Sequence, residues 1–198
     1  MKTANWFLLA ILLFVGKTTL LAADASFNVA AHDKSLQRYR AMLKTDKKNE
    51  QARQGLAEIT IAFVLQAEQQ LSRAQPAEPR RLLTRVEKEL PDTLWRLNNM
   101  ASQADHRAQL TVGLLHKFGI LTKKDSTKAC EYFLKAKGQG IAAADYHAAL
   151  CLTKSDPDLS LTLISAAAEA GHAGRILRAV RGWEQPSDHA PVFASFDL

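Results

Sequence analysis

Apolar residues recur along this chain at intervals of three and four from Leu36 to Trp183, and no segment shows sustained alternation at every second position. The first rhythm draws a stripe down a helix and the second would draw one down a strand, so the pattern predicts an all-α protein. Leu36, Tyr39, Met42 and Leu43 mark one face of a helix that ends before TDKKNEQA. Asn49 has the short acceptor side chain that caps a helix. The stripe Ala52, Leu56, Ile59, Phe63 and Ala67 follows it, with Gly55 at a packing position. After a loop around Gln75-Pro76-Ala77, Pro79 opens a third helix whose Leu82, Leu83, Val86 and Leu90 face inward. Pro91-Asp92 stops that helix, and Thr93–Ser102 forms the next.

The stretch from Ala108 to Leu150 is the most patterned. Small residues stand where two helices would have to touch, at Ala108, Gly113, Ala129, Ala136, Gly140 and Ala144. Larger apolar residues fall between them at helical spacing: Val112, Leu115, Tyr132 and Phe133. Asp125 is placed to open the second helix and Gly140 to close it. A helix pair of this kind cannot bury its apolar face alone and needs neighbours stacked on it. Shorter copies flank it in register. Ala167, Ala168, Gly171 and Ala173 fall at the places of Ala136, Lys137, Gly140 and Ala142, while Gln103, Ala104 and Ala108 fall at those of Gln139, Gly140 and Ala144.

This unit resembles the Sel1-like repeat, a relative of the tetratricopeptide repeat. The residues that carry the resemblance are Ala108, Gly113, Gly119, Asp125, Lys128, Ala129, Tyr132, Phe133, Lys135, Ala136, Gln139, Gly140 and Ala144. The chain departs from the family pattern at His116, where a Tyr is usual, and at Leu121, where the second turn glycine is usual. Further back, RYRAMLKTDKKNEQARQGLAEI looks like a junction between two tetratricopeptide repeats. The resemblance implies a right-handed α-solenoid of antiparallel helix pairs with a concave groove, divided into a TPR-like region over 26–104, Sel1-like repeats over 105–183 and a tail over 184–198. In the resembled folds the first helix of each pair lines the concave side. Here those helices are Ala52–Leu71, His106–Lys117 and Ala142–Leu152, which offers Arg53, Gln109, Lys117, Asp145 and His147 as partner-binding positions.

The first residues change the compartment expected. Lys2 is a positive n-region, Trp6 to Val15 an apolar h-region and Ala23-Asp24-Ala25 a small-residue cleavage site, so residues 1–25 read as a signal peptide cleaved near Ala25. The mature chain is then expected in the periplasm or outside the cell, with no integral membrane span after cleavage. An uncleaved anchor formed by residues 6–23 is the alternative, although Lys17 interrupts a run already short of the roughly 20 residues a span needs. No Cys follows the run, so a lipoprotein anchor does not arise. Gly16-Lys17-Thr18 lacks the earlier glycine of a phosphate-binding loop, Ile11 standing in its place.

An exported chain meets an oxidising compartment, and this one has two cysteines, Cys130 and Cys151. They lie on consecutive antiparallel helices at similar distances from the turn near Gly140, so their heights permit a disulfide. Cys130 sits one step off the Ala129–Tyr132–Ala136 stripe, which leaves two buried free thiols as the other state. His147 and Cys151 share a helix face, but no local third or fourth ligand completes a zinc shell, and no metal is expected.

Chemistry is otherwise sparse. Gly138-Gln139-Gly140-Ile141-Ala142-Ala143 has the letters of a dinucleotide fingerprint, but a helix precedes it where a strand is needed. The six histidines include no zincin pair, and neither G-x-S-x-G nor S-x-x-K occurs. His116 and His147 read as residues of repeat interfaces, and Asp156 and Asp158 as charges favoured at a helix start. The net charge of +6 is modest, and its basic residues alternate with acids without interleaved aromatics, which does not point to nucleic acid. Arg80, Arg81 and Arg85 form a basic cluster on the third helix, either a solvated face or a contact for an acidic partner. No catalytic residue and no cofactor are expected. The reading is a non-catalytic protein–protein interaction scaffold or adaptor of a bacterial cell envelope, with an unidentified protein partner. The alternatives are a secreted factor acting on a host or neighbouring cell, and an enzyme-regulating subunit or hydrolase.

Overall fold

The computed structural model describes residues 27–72 and 77–172. The signal segment, Gln75-Pro76 and the tail over 184–198 lie outside the described residues. Among those described there are eight α-helices and no strand: α1 Val29–Thr45, α2 Glu50–Ser72, α3 Ala77–Glu89, α4 Leu94–Ser102, α5 His106–Phe118, α6 Ser126–Ala136, α7 Ala142–Leu152 and α8 Pro157–Ala167. A 3-10 turn, Pro91–Thr93, joins α3 to α4, and a π turn, Ala168–His172, follows α8. Each helix packs chiefly on its neighbours in the chain. The 23-residue α2 also reaches α4 and α5, and one continuous apolar core runs from Leu36 to Leu163 through both halves.

The helix starts follow from the capping side chains. Asn49 Oδ1 accepts from the Ala52 amide at 2.9 Å, Asp105 from Ala108 at 2.9 Å, Asp125 from Lys128 at 3.0 Å and Asp156 from Leu159 at 3.0 Å. Each satisfies one of the amides that a helix start leaves without an intrahelical partner. Three boundaries differ from expectation: α6 ends at Ala136 with Lys137 as its C-cap, before the Gly140 expected to close it. α3 begins at Ala77, because Pro79 fits within the first turn, where its missing N–H is not required. Pro91-Asp92 does not simply stop the chain: it forms the 3-10 turn that leads straight into α4, held by the Thr93 hydroxyl donating to the Leu90 carbonyl at 2.7 Å.

The small residues lie where the helices come closest. Ala108, Ala129, Ala136 and Ala144 are all buried. At Gly113 a Cβ would stand 2.6 Å from the Phe133 ring and 3.2 Å from the Ala129 carbonyl, so α5 and α6 can approach only over a glycine. A Cβ at Gly55 would stand 2.2 Å from the Tyr39 ring between α1 and α2. Gly140 is different: it is an exposed turn residue with φ 72°, outside any helix contact.

The residue immediately before the N-cap of α7 is Gly140, and the residue immediately before that of α5 is Ala104, whose φ is 62°. The two turns therefore share a left-handed position, which a Cβ disfavours by about 1–2 kcal/mol. Because Ala104 is exposed and loses no packing, Ala104→Gly is expected to stabilise the protein by about 0.5–1 kcal/mol after the added freedom of the unfolded chain is subtracted. Urea unfolding of the two proteins side by side measures this; a less stable variant would show that the turns are not equivalent.

Candidate protein-binding surface

The five positions expected to line an open groove do not form one. Gln109, Asp145 and His147 are buried, Lys117 is largely so, and only Arg53 keeps substantial exposure. Gln109 Nε2 donates to the Ala101 carbonyl at 3.0 Å and ties α5 to α4. Asp145 Oδ1 accepts from the Gly138 amide at 2.6 Å and pins the turn before its own helix. The middle turns of α5 and α7 are covered all round, with residues 108–116 and 144–149 buried without a break, so positions that helical periodicity assigns to solvent are interior.

His147 and Lys117 instead meet a third residue, Glu68 of α2. His147 Nε2 lies 2.7 Å from Glu68 Oε1, with both side chains only 1% exposed, and Lys117 Nζ lies 3.1 Å from His147 Nδ1. A protonated amine can only donate, so Nδ1 accepts and the imidazole carries its proton on Nε2, towards the carboxylate. Burial, and secondly the Lys117 charge, hold His147 well below the usual histidine value, so it bridges the Glu68 carboxyl group and the Lys117 amine in its neutral form. The ring also stacks on Phe133 at 4.6 Å between centroids. The network ties α2, α5 and α7 together, joining the C-terminal parts of α2 and α5 to the middle of α7.

Burial lowers Lys117 from 10.5 to about 8. Between those values the unfolded chain holds a proton that the folded protein has released, so this group makes stability rise with pH. Wild type is expected to gain up to about 3 kcal/mol relative to Lys117→Met between pH 8 and 10.5. Parallel pH profiles for the two proteins would contradict that.

Cys130 and Cys151 are joined by a disulfide across α6 and α7, with their Cα atoms 5.7 Å apart. His116 is buried at the α5–α6 contact, stacked on Tyr132 at 6.0 Å. Among the described residues no group of three or more His, Cys, Asp and Glu could hold a metal ion.

The outer surface is shaped elsewhere. A cleft of ≈ 540 Å³ lies where the α1–α2 turn faces the α3–α4 junction, walled by Leu43, Leu56, Leu90 and Trp95 and edged by Lys47, Arg53 and Arg96. A second cleft of ≈ 510 Å³ runs along α3 beside Arg80, Arg81, Arg85 and Lys88. Both include Glu89, so they adjoin there. Trp95 is 62% exposed, more than any other large apolar residue described, with the Arg96 guanidinium 5.3 Å from its ring centroid. Arg53 donates to the Lys47 carbonyl at 2.8 Å and pairs with Glu50, which also contacts Arg96. Of the five expected positions, Arg53 alone belongs to this surface. Sequence reading passed over Trp95: a lone tryptophan early in a short helix looks like core until the packing leaves it outside.

No family model, curated protein or solved structure matches this chain.

Proposed function

We propose that this chain is a non-catalytic, Sel1-like interaction scaffold of a bacterial cell envelope, exported and built as a right-handed α-solenoid, and that it binds a protein partner over the α1–α3–α4 side. The observation that carries the reading is Trp95. A largely exposed tryptophan at the lip of a cleft with apolar walls gives up much of its area to water, and such residues are concentrated where proteins bind one another. The Sel1-like assignment rests on Gly113 against Phe133, on the left-handed turn position shared by Ala104 and Gly140, and on Leu121. That residue has φ 59° where the family carries glycine. Export rests on the n-region, h-region and Ala23-Asp24-Ala25, and a disulfide suits an oxidising compartment. Among the described residues no helix is long and apolar enough to cross a membrane.

The test is a photo-crosslinking amino acid at position 95 of the full chain, irradiated in intact cells. A discrete protein adduct that is absent when the same group is placed at exposed Lys123 is the expected result. Irradiation that yields only the unmodified chain, or equal adducts at both positions, would remove the reading.

A further inference from the structure

The two adjoining clefts have a charge that the chain as a whole only hints at. Seven cationic side chains line them, four on α3 and three around the α1–α2 turn and α4, against the carboxylates of Glu89 and Asp92. Several are partly neutralised. Arg85 pairs with Asp33 and Glu89, Arg81 with Glu78, and Glu50 serves Arg53 and Arg96. Arg40 adds a further positive charge, donating to the Glu89 carbonyl at 2.7 Å. With all of these partners included, eight positive groups face five negative ones. Arg80, Lys47 and Lys88 have no ion pair among the described residues. These groups together carry a net charge of +3, eight positive less five negative.

Resting on the scaffold reading above, we propose that the partner presents an acidic polypeptide segment. Its carboxylates lie along Arg80, Arg81 and Lys88, and an apolar side chain enters the Leu43–Leu56–Trp95 cleft. The chemistry of the site favours a peptide over other anions. Its apolar walls are the aliphatic side chains of Leu43, Leu56 and Leu90 with Trp95 at the lip, and its volume is of a size for amino-acid side chains. Trp95 is the one exposed aromatic among the described residues here, whereas a nucleic-acid strand needs a series of stacking rings. A flat lipid surface would reach the lip of the clefts and leave their floors uncovered. Glu50 is 65% exposed and sits against both Arg53 and Arg96, so an incoming carboxylate can take its place without any rearrangement of the core.

Fluorescence anisotropy on the purified full chain tests this with a short fluorescein-labelled peptide of Glu-Glu-Leu repeats. Saturable binding that weakens as salt rises is expected, with no binding of a Lys-Lys-Leu counterpart. Arg80→Glu with Arg81→Glu and, separately, Trp95→Ala are each expected to weaken binding about tenfold. Lys123→Glu with Lys124→Glu, which removes as much charge from an exposed loop elsewhere, is expected to leave it unchanged. The proposal is overturned if the acidic peptide does not bind, if all three variants bind alike, or if a single-stranded oligonucleotide or a phosphatidylserine-containing vesicle binds more tightly at the same ionic strength. A protein adduct at position 95 in cells together with failure of the peptide would leave the scaffold reading standing and this one refuted. Peptide binding without any adduct in cells would remove the scaffold reading, and with it the partner, leaving only the preference of the clefts for acidic peptides.

Discussion

Glu68→Ala is expected to destabilise the protein by about 3–5 kcal/mol, the range seen when one partner is taken from a buried ionic network. Glu68 is only 1% exposed and accepts from His147 Nε2, while the other ring nitrogen, Nδ1, accepts from Lys117. Removing the carboxyl group leaves an imidazole N–H without that acceptor and opens a void beside a largely buried amine. Chemical denaturation at pH 7 measures the loss. Replacing the whole network, as in Glu68→Leu with His147→Leu and Lys117→Met, is expected to be milder than the single change, because no isolated charge remains inside. A single variant within about 1 kcal/mol of wild type would mean that these groups are open to water and that the three helices do not meet here. Acid should act in the same direction. The unfolded chain takes up protons near pH 6.5 that buried His147 refuses, and His172, lowered to about 4, and His32 behave likewise, so stability falls as pH drops below 6.5.

Loss of the Cys130–Cys151 bridge, by reduction or by Cys130→Ser with Cys151→Ser, is expected to cost about 3 kcal/mol. The bridge closes a 21-residue separation, and the freedom it removes from the unfolded chain sets that scale. It also clamps α6 to α7 on the far side of the turn held by Asp145 and Gly138. Urea unfolding with and without reductant gives the difference. Alkylation of the non-reduced, denatured protein followed by mass measurement is the decisive check: two labels on one chain would mean that the thiols are free.

The helices and their starts were legible because their causes are local. Asn49, Asp125 and the spacing from Ala52 to Ala67 act within a turn or two of chain, and periodicity reads that range well. The contacts of Gly113 and Gly55 were legible for a related reason, since a missing Cβ in an otherwise regular helix has few purposes other than close approach. Periodicity failed where a helix has neighbours on every side. The stripe on α2 runs Ala52, Leu56, Ile59, Phe63 and Ala67, yet Leu56 is only half-buried, while Ala57, Ile61 and Val64 are fully buried against α1, α3, α4 and α5.

The same limit explains the groove. Gln109, Asp145 and His147 are polar, and polarity alone assigns them to solvent; the structure satisfies each with a partner and encloses it. Glu68 and His147 stand 79 positions apart, and no pattern within either helix indicates that they face each other. What the chain determines by itself is its all-helical character, the capping of its helices, the small residues at its close contacts and a pair of cysteines at matching heights. Tertiary structure alone decided which polar groups went inside, that the cysteines face one another, and that Trp95 stays out beside a band of arginines and lysines. Pairing of that kind depends on how one helix lies against another, a relation set by the sum of many contacts and not written in the period of any single helix.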